Sequence, residues 1–313
     1  MKKNILLSAG FLIFIAVTDF VLATLIRTGS QSAIQDKRIG RLVNGDIHSD
    51  LVVIGSSRAV RDVLPVTIED TLGISGFNFG VPGSSVEFHL DIVRLIKKYD
   101  PGFKYVIWVV DDPSELLAPE HAVGNLGYTV DAFYPYADNP DIRKILFDRK
   151  ELNPVFADLL QTYRERLGAR TLLKRSLQGV FKKLNDVQPD GSMPLSGRSL
   201  RYDSMKYNSS SPYNKQYEDS NLVRSFLDIL NELKGKKIIF VFPPNYSDPT
   251  PGFADRIRDL AGSGYLYLDY SSKVPDRTLF FDNSHLDING ARMFSSQVAR
   301  DIEPYISGKP VVQ

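Results

Sequence analysis

The sequence contains no cysteine. Thiol nucleophiles, disulfide bonds and cysteine-ligated metals are therefore excluded. The absence also suits a chain exposed outside the cytoplasm, where a stray thiol is open to oxidation. Net charge is nearly absent too: 38 Lys and Arg against 37 Asp and Glu leave a formal +1. A chain without a basic excess exerts no general pull on nucleic acid, and no zinc-finger spacing or dense basic stripe supplies one locally. Nucleic acid is set aside as a partner. Histidine is scarce. His48 and His121 have no partners at metal-ligand spacing, and His89 falls on a predicted helix as a packing residue, so no metal or other cofactor is expected.

What remains is an ordinary folded composition, 43% hydrophobic and 24% charged over 313 residues, enough for one large domain or two small ones. The first segment departs from it. After Lys2 and Lys3 an apolar stretch runs from Ile5 to Ile26, interrupted mainly by Ser8, Thr18, Asp19 and Thr24. Its length of about 20 residues matches the hydrocarbon core of a bilayer. The leading lysines favour an N-terminus inside and the remainder outside the cytoplasm. A cleaved leader would end in a small-x-small site. Val21-Leu22-Ala23 comes nearest, but begins with valine, and the apolar run continues through Leu25 and Ile26. The expectation is a retained anchor over residues 1–27, contacting the bilayer through 5–26, then a polar tether over 28–48 and a folded domain over 49–313. Asp19 is the costly residue of the span, expected to face a protein partner, to snorkel to an interface or to lie near the outer headgroups.

From Asp50 onward short apolar runs alternate with helical spacing. Leu51–Ile54, Phe77–Gly80, Tyr105–Val110, Lys237–Phe242 and Tyr265–Asp269 read as strands, the continuous apolar runs as buried parallel ones. Phe88, Ile92, Leu95 and Ile96 recur at helical spacing, as do Phe226, Ile229, Leu230 and Leu233, and a last helix is expected from near Ile288. Such alternation predicts an α/β domain with a parallel sheet and helices on both faces. The stretch from about 113 to 218 fits no simple crossover and reads as an insertion over the active-site edge of the sheet. Its middle, Leu159 to Leu184, reads as a basic helix, its stretch from Arg164 to Lys183 a solvated face or, alternatively, a surface for anionic lipid or polymer. Its aromatics Tyr128, Phe133, Tyr134 and Tyr136 suit either sugar stacking or a small core. No internal repeat is evident.

Three blocks carry the chemistry. In Val53-Ile54-Gly55-Ser56-Ser57-Arg58 a buried strand delivers a serine to the crevice at the strand ends, where parallel sheets bind ligands. In Asn78-Phe79-Gly80-Val81-Pro82-Gly83-Ser84-Ser85 a glycine can bring a backbone N–H close to a developing oxyanion. In Phe281-Asp282-Asn283-Ser284-His285-Leu286 a carboxylate three residues before a histidine can fix its tautomer while the other nitrogen takes a serine proton. Taken singly, each also suits a turn or a helix cap.

In that order the blocks resemble the SGNH (GDSL-type) hydrolase superfamily, in its membrane-anchored branch similar to O-acyltransferases and esterases of surface polysaccharides. The resemblance covers roughly residues 50–112 and 236–303. It implies a three-layer, flavodoxin-like α/β fold and a triad of Ser57, Asp282 and His285. It also implies an oxyanion hole from the amides of Ser57 and Gly83. One block departs: where the family carries Gly-x-Asn-Asp, this chain has Val110-Asp111-Asp112-Pro113, and an ionised aspartate cannot donate to an oxyanion. Asp112 and Arg58 are therefore grouped with Gly83 as substrate- or oxyanion-binding positions, Arg58 alternatively pairing with Asp111 or Asp112. Relatives in alginate acetylation and teichoic-acid D-alanylation work beside a membrane-bound O-acyltransferase. The function implied is O-acyl (foremost acetyl) transfer or ester hydrolysis on an exported glycan. The alternative is a non-catalytic assembly or glycan-binding protein partnering such a transferase. A lipase or thioesterase would need a long apolar groove that the Tyr-rich insertion does not suggest.

Overall fold

A computed structural model describes residues 2–34, 36–110, 112–122, 126–178, 187–199, 205, 210–272 and 276–308. The chain divides into two compact units, Met1–Asn44 with Val130–Leu184, and Gly45–Thr129 with Asn185–Gln313.

The second unit holds a five-stranded sheet, β1 (Leu51–Ile54), β2 (Gly76–Asn78), β3 (Tyr105–Val109), β4 (Lys237–Phe242) and β5 (Leu266–Asp269), in the order β2-β1-β3-β4-β5. Every pairing is parallel. The predicted α/β class and parallel sheet are thus found, each strand within a residue or two of its expected place. Side chains alternate across a strand, which sorts the core into two halves. Leu51, Val53, Ile107, Val109, Ile239 and Val241 pack with α3 (Ser57–Asp62), α4 (Pro65–Leu72) and α11 (Ile288–Ser307). On the other face Trp108 and Phe240 lie against Phe226 of α9 (Ser220–Glu232), with ring centroids 4.5 and 6.1 Å from it. The helix α9 in turn packs on α5 (Val86–Tyr99), and α10 (Phe253–Ala261) precedes β5.

The order places a switch point between β1 and β3: the chain leaves β1 toward β2 on one side and returns to β3 on the other. Doubly wound sheets bind ligands at such a point, at the carboxyl ends of the strands. Gly55 ends β1 there. Its φ of 137° suits glycine, and an added Cβ would lie 2.6 Å from the Val109 carbonyl oxygen and 2.9 Å from Ala59 Cβ.

The expected insertion has a visible neck. Leu117 and Glu218 form an antiparallel bridge, flanked by Ala118 N–H to Tyr217 O and Asp219 N–H to Leu116 O. Beyond the neck the segment is shared between the two units. Residues 187–199 belong to the sheet unit and run as a strap. Asp190 O accepts from Asn78 N–H, Met193 N–H donates to Val60 O, and Ser199 N–H donates to Phe281 O.

Residues 130–178 instead build the first unit with the N-terminal segment. There α1 (Lys2–Ala33) and α2 (Arg38–Val43) are joined by α6 (Pro140–Asp148), α7 (Pro154–Leu159) and α8 (Gln161–Gln178). The helix α1 continues six residues past the expected anchor boundary at 27 and takes up part of the expected tether, of which α2 forms more. Helix α1 is long and apolar enough to cross a membrane. Phe133, Tyr134 and Tyr136 are buried, with the Tyr136 ring against Gly40, so they form the core of this unit and not a sugar-stacking surface. In the sheet unit, half-buried Tyr128 donates to Asp91 at 2.6 Å. Along α8, Glu165 and Leu167 are buried, so the helix is not simply a solvated basic face; the part of that stretch beyond 178 lies outside the described residues.

Gly55→Ala is expected to destabilise the sheet unit by about 1–3 kcal/mol, the usual range for forcing atoms into a packed site, read as a lower denaturant midpoint.

Candidate active site

Helix α3 begins directly after β1, so Ser57 occupies its first turn at the sheet's carboxyl edge. Asn78 holds that helix in place from the end of β2. Its buried side-chain amide donates to Ala59 O and Val63 O at 2.7 and 2.8 Å, and its oxygen accepts from Gly80 N–H at 2.8 Å. Gly80 packs so closely that an added Cβ would lie 2.8 Å from Ala59 Cβ. Val81 N–H then donates to Gly55 O at 3.1 Å. The Val81–Ser85 loop is thereby tied to the turn that carries Ser57.

Gly83 in this loop has a φ of 71°, in the left-handed region. Among the described residues nothing accepts a hydrogen bond from the amide of Gly83 or of Ser57. Ser84, next to Gly83, is buried and bonded to His89 Nε2 at 2.8 Å. Burial pushes the His89 pKa down to about 3, which leaves it a neutral packing residue.

Asp282 and His285 sit on a tight loop closed by the Phe280–Leu286 bridge. Asp282 Oδ1 accepts from the amides of Ser284 and His285, both at 2.8 Å, and from His285 Nδ1 at 2.9 Å. His285 Nε2 lies 2.9 Å from Ser57 Oγ. Ser57, Asp282 and His285 are each partly accessible, so the three expected triad members meet in one chain of hydrogen bonds open to solvent. After the loop, Asp287 caps α11 by accepting from Gly290 N–H at 2.8 Å. Gly290 is required there because a Cβ would run into Leu279 O.

Two residues that sequence reasoning passed over complete the arrangement. Asp62, fully buried at the end of α3, accepts from Leu286 N–H at 3.0 Å and pairs with Arg58 Nε at 3.6 Å. It fastens the histidine loop to the serine helix. Arg61 Nη1 lies 3.4 Å from His285 Nδ1. Both occupy the last two positions of a helix opened by a candidate nucleophile, about one turn from it, which was the signal available.

The electrostatics follow. Burial opposes the charge of Asp282, but the hydrogen bond and charge of His285, with the Ser284 and His285 amides, outweigh it and hold the carboxyl below the usual carboxylate range. Burial pushes the His285 imidazole below the ordinary histidine value. Asp282 opposes this, while Arg61 and Arg58 reinforce it. The histidine is therefore neutral at neutral pH, the form that can take a proton.

The remaining expected positions are engaged by the protein. Arg58 is buried, donating to Asn245 Oδ1 at 2.6 Å and to Pro244 O, besides its pairing with Asp62. Asp112 caps the 3-10 turn Pro113–Glu115, accepting from Ser114 N–H at 2.8 Å. Asp111 lies outside the described residues. His121 stacks on Tyr217 at 3.9 Å, and no cluster of metal-ligating side chains occurs among the described residues. No family model matches this chain, and no curated protein matches it in sequence.

Asp62→Ala is expected to cost about 3–5 kcal/mol, because it strands the buried Arg58 charge and the Leu286 amide. Asp62→Asn, which keeps an acceptor for Leu286, is expected to cost less, measured by chemical denaturation. Arg61→Gln removes a positive charge beside the imidazole and is expected to raise the His285 pKa, followed by NMR titration of its ring proton.

Proposed function

We propose that this chain is an SGNH-type serine O-acyltransferase or esterase, acting on acyl groups, foremost acetyl, of an exported or cell-surface polysaccharide. The observation that carries the reading is the continuous Asp282–His285–Ser57 hydrogen-bond chain at the carboxyl edge of a parallel sheet.

In the reaction, Ser57 Oγ attacks the acyl carbonyl carbon as its proton passes to His285 Nε2. Asp282 accepts the hydrogen bond from Nδ1–H and stabilises the imidazolium that forms. The C–O bond to the leaving alcohol breaks, and His285 returns the proton to the departing oxygen. An acyl-serine remains until a second hydroxyl, from sugar or water, repeats the sequence in reverse. The unengaged amides of Ser57 and Gly83 are the donors assigned to the oxyanion. No third donor is assigned from the Asp111–Asp112 block. A missing donor typically costs about a hundredfold or more in rate, which suits a slow transferase better than a fast general esterase.

On this reading α1 is retained as a single-pass anchor, Lys2 and Lys3 stay in the cytoplasm, and the sheet unit faces outward, where exported glycan is found. A membrane-bound O-acyltransferase is the partner that would supply acyl groups there.

The second reading is a non-catalytic assembly or glycan-binding protein beside such a transferase. It is favoured by the capping role of Asp112, which leaves that position without the family's donor.

Labelling the detergent-solubilised chain with a fluorophosphonate probe separates the two. Wild type is expected to label, with the signal lost in Ser57→Ala and His285→Ala. A folded wild-type protein that takes no label would end the catalytic reading and favour the second.

A further inference from the structure

Helix α1 exposes large apolar side chains along most of its length: Ile5, Phe11 and Phe14 in its first half, Phe20, Leu22 and Leu25 in its second. Between the halves Asp19 is not a stray charge. Its carboxylate accepts from the amides of Gln161 and Thr162, at 2.8 and 3.0 Å, and from the Thr162 hydroxyl. Those amides open α8 and would otherwise lack helical partners. The bonds fix the height at which α8 starts on α1. From there α8 runs in the same direction as α1, since Gly168 packs on Ser30 and Gly29 on Leu172.

The height follows from helix geometry. At a rise of 1.5 Å per residue, Ile5 to Asp19 covers about 21 Å. The hydrocarbon core of a bilayer is about 30 Å thick. A span beginning at Ile5 must therefore continue to about Leu25, which leaves Asp19 about 9 Å beneath the outer boundary. The two threonines of the span suit its apolar surroundings. The Thr18 and Thr24 hydroxyls each donate to a carbonyl of their own helix, Phe14 O and Phe20 O, both at 2.8 Å, so neither needs water.

Whatever leads into α8 must then lie at the same depth, and what leads into it is α7 and Leu160. This short segment exposes Val155 at 62%, Phe156 at 52%, Leu159 at 71% and Leu160 at 42%. Its one acidic side chain, Asp158, is paired with Arg143 at 3.6 Å. Four large apolar groups held out from so short a segment are unfavourable in water and favourable in hydrocarbon.

We propose that α7, with Leu160, is a second membrane contact, immersed in the outer leaflet beside α1 through Val155, Phe156, Leu159 and Leu160. The inference rests on the reading of α1 as a retained anchor. The first unit is then held to the bilayer at two points and cannot swing freely about a single helix.

The lack of native cysteine makes the test direct. Single variants Ile13→Cys, Lys144→Cys, Phe156→Cys and Leu159→Cys of the full chain, labelled with an environment-sensitive fluorophore, are placed in phosphatidylcholine vesicles with or without doxyl-labelled lipid. Lys144, an exposed residue of α6, is the aqueous reference. Labels at 13, 156 and 159 are expected to lose most of their fluorescence to the doxyl lipid, and the label at 144 little. Quenching at 13 with labels at 156 and 159 open to aqueous iodide would put α7 in water and overturn the proposal. Labels at 156 and 159 shielded from both quenchers would mean a protein covers α7, which also overturns it. No quenching at 13 would show instead that the anchor reading has failed.

Discussion

The buried carboxylate of Asp62 holds the candidate site together. It stands at the end of the helix that Ser57 begins and takes a hydrogen bond from Leu286, the residue after His285. Serine and histidine lie 228 positions apart in the chain, on elements joined by no local turn. A charge buried this deeply is tolerated only when paired and hydrogen-bonded. Asp62 therefore demands Arg58 and the Leu286 amide at the same time, and meeting that demand brings α3 and the histidine loop into one geometry. Ser295 of α11 adds a third tie, donating to the Asp62 carbonyl and accepting from Leu64 N–H.

The sheet was legible because its strands, β2 with Asn78 excepted, are apolar runs that end in glycine, proline or aspartate, and such runs have few other uses. Long helices were legible by the same token: α5, α9 and α11 each carry more than two turns of apolar spacing. The short helices were not. A helix of six to nine residues, such as α4, α6, α7 or α10, offers too few repeats for a period to stand out. The signals they do carry are at their starts. Leu64-Pro65, Asn139-Pro140 and Asn153-Pro154 each set proline in the first turn, two of them behind an asparagine cap. The pairing of residues 130–178 with the N-terminal helix was invisible for a different reason. It depends on contacts such as Asp19 with Gln161, between segments whose patterns do not refer to each other.

In the site, the legible part was local and the illegible part was not. Asp282 and His285 are three residues apart, and the loop that joins them is short enough to be read from its residues. That Ser57 meets His285 had to be inferred from block order and resemblance, since no spacing encodes it. Arg61 was passed over because an arginine in a helix is ordinarily a solvated side chain; only the fold turns it toward the imidazole. The strap of residues 187–199 falls within the expected insertion, but its course past Val60 and Phe281 follows from hydrogen bonds made by its backbone, which composition does not reveal.

Carboxylates show why reading chemistry from acidic residues alone misleads. Asp19, Asp62, Asp112, Asp190, Asp282 and Asp287 all accept hydrogen bonds from backbone amides. Capping amides is the common use of aspartate in this chain, and it accounts for Asp112 without any substrate. What separates Asp282 is that its third donor is an imidazole, Nδ1, held by the same oxygen that receives two amides. Those amides fix the carboxylate's position before any substrate arrives, and the carboxylate in turn fixes the ring that faces Ser57. A capping aspartate becomes part of a proton-transfer chain when the residue it caps is a histidine and a hydroxyl waits on the histidine's far side. Of the six aspartates, Asp282 is the one whose bonds meet both conditions.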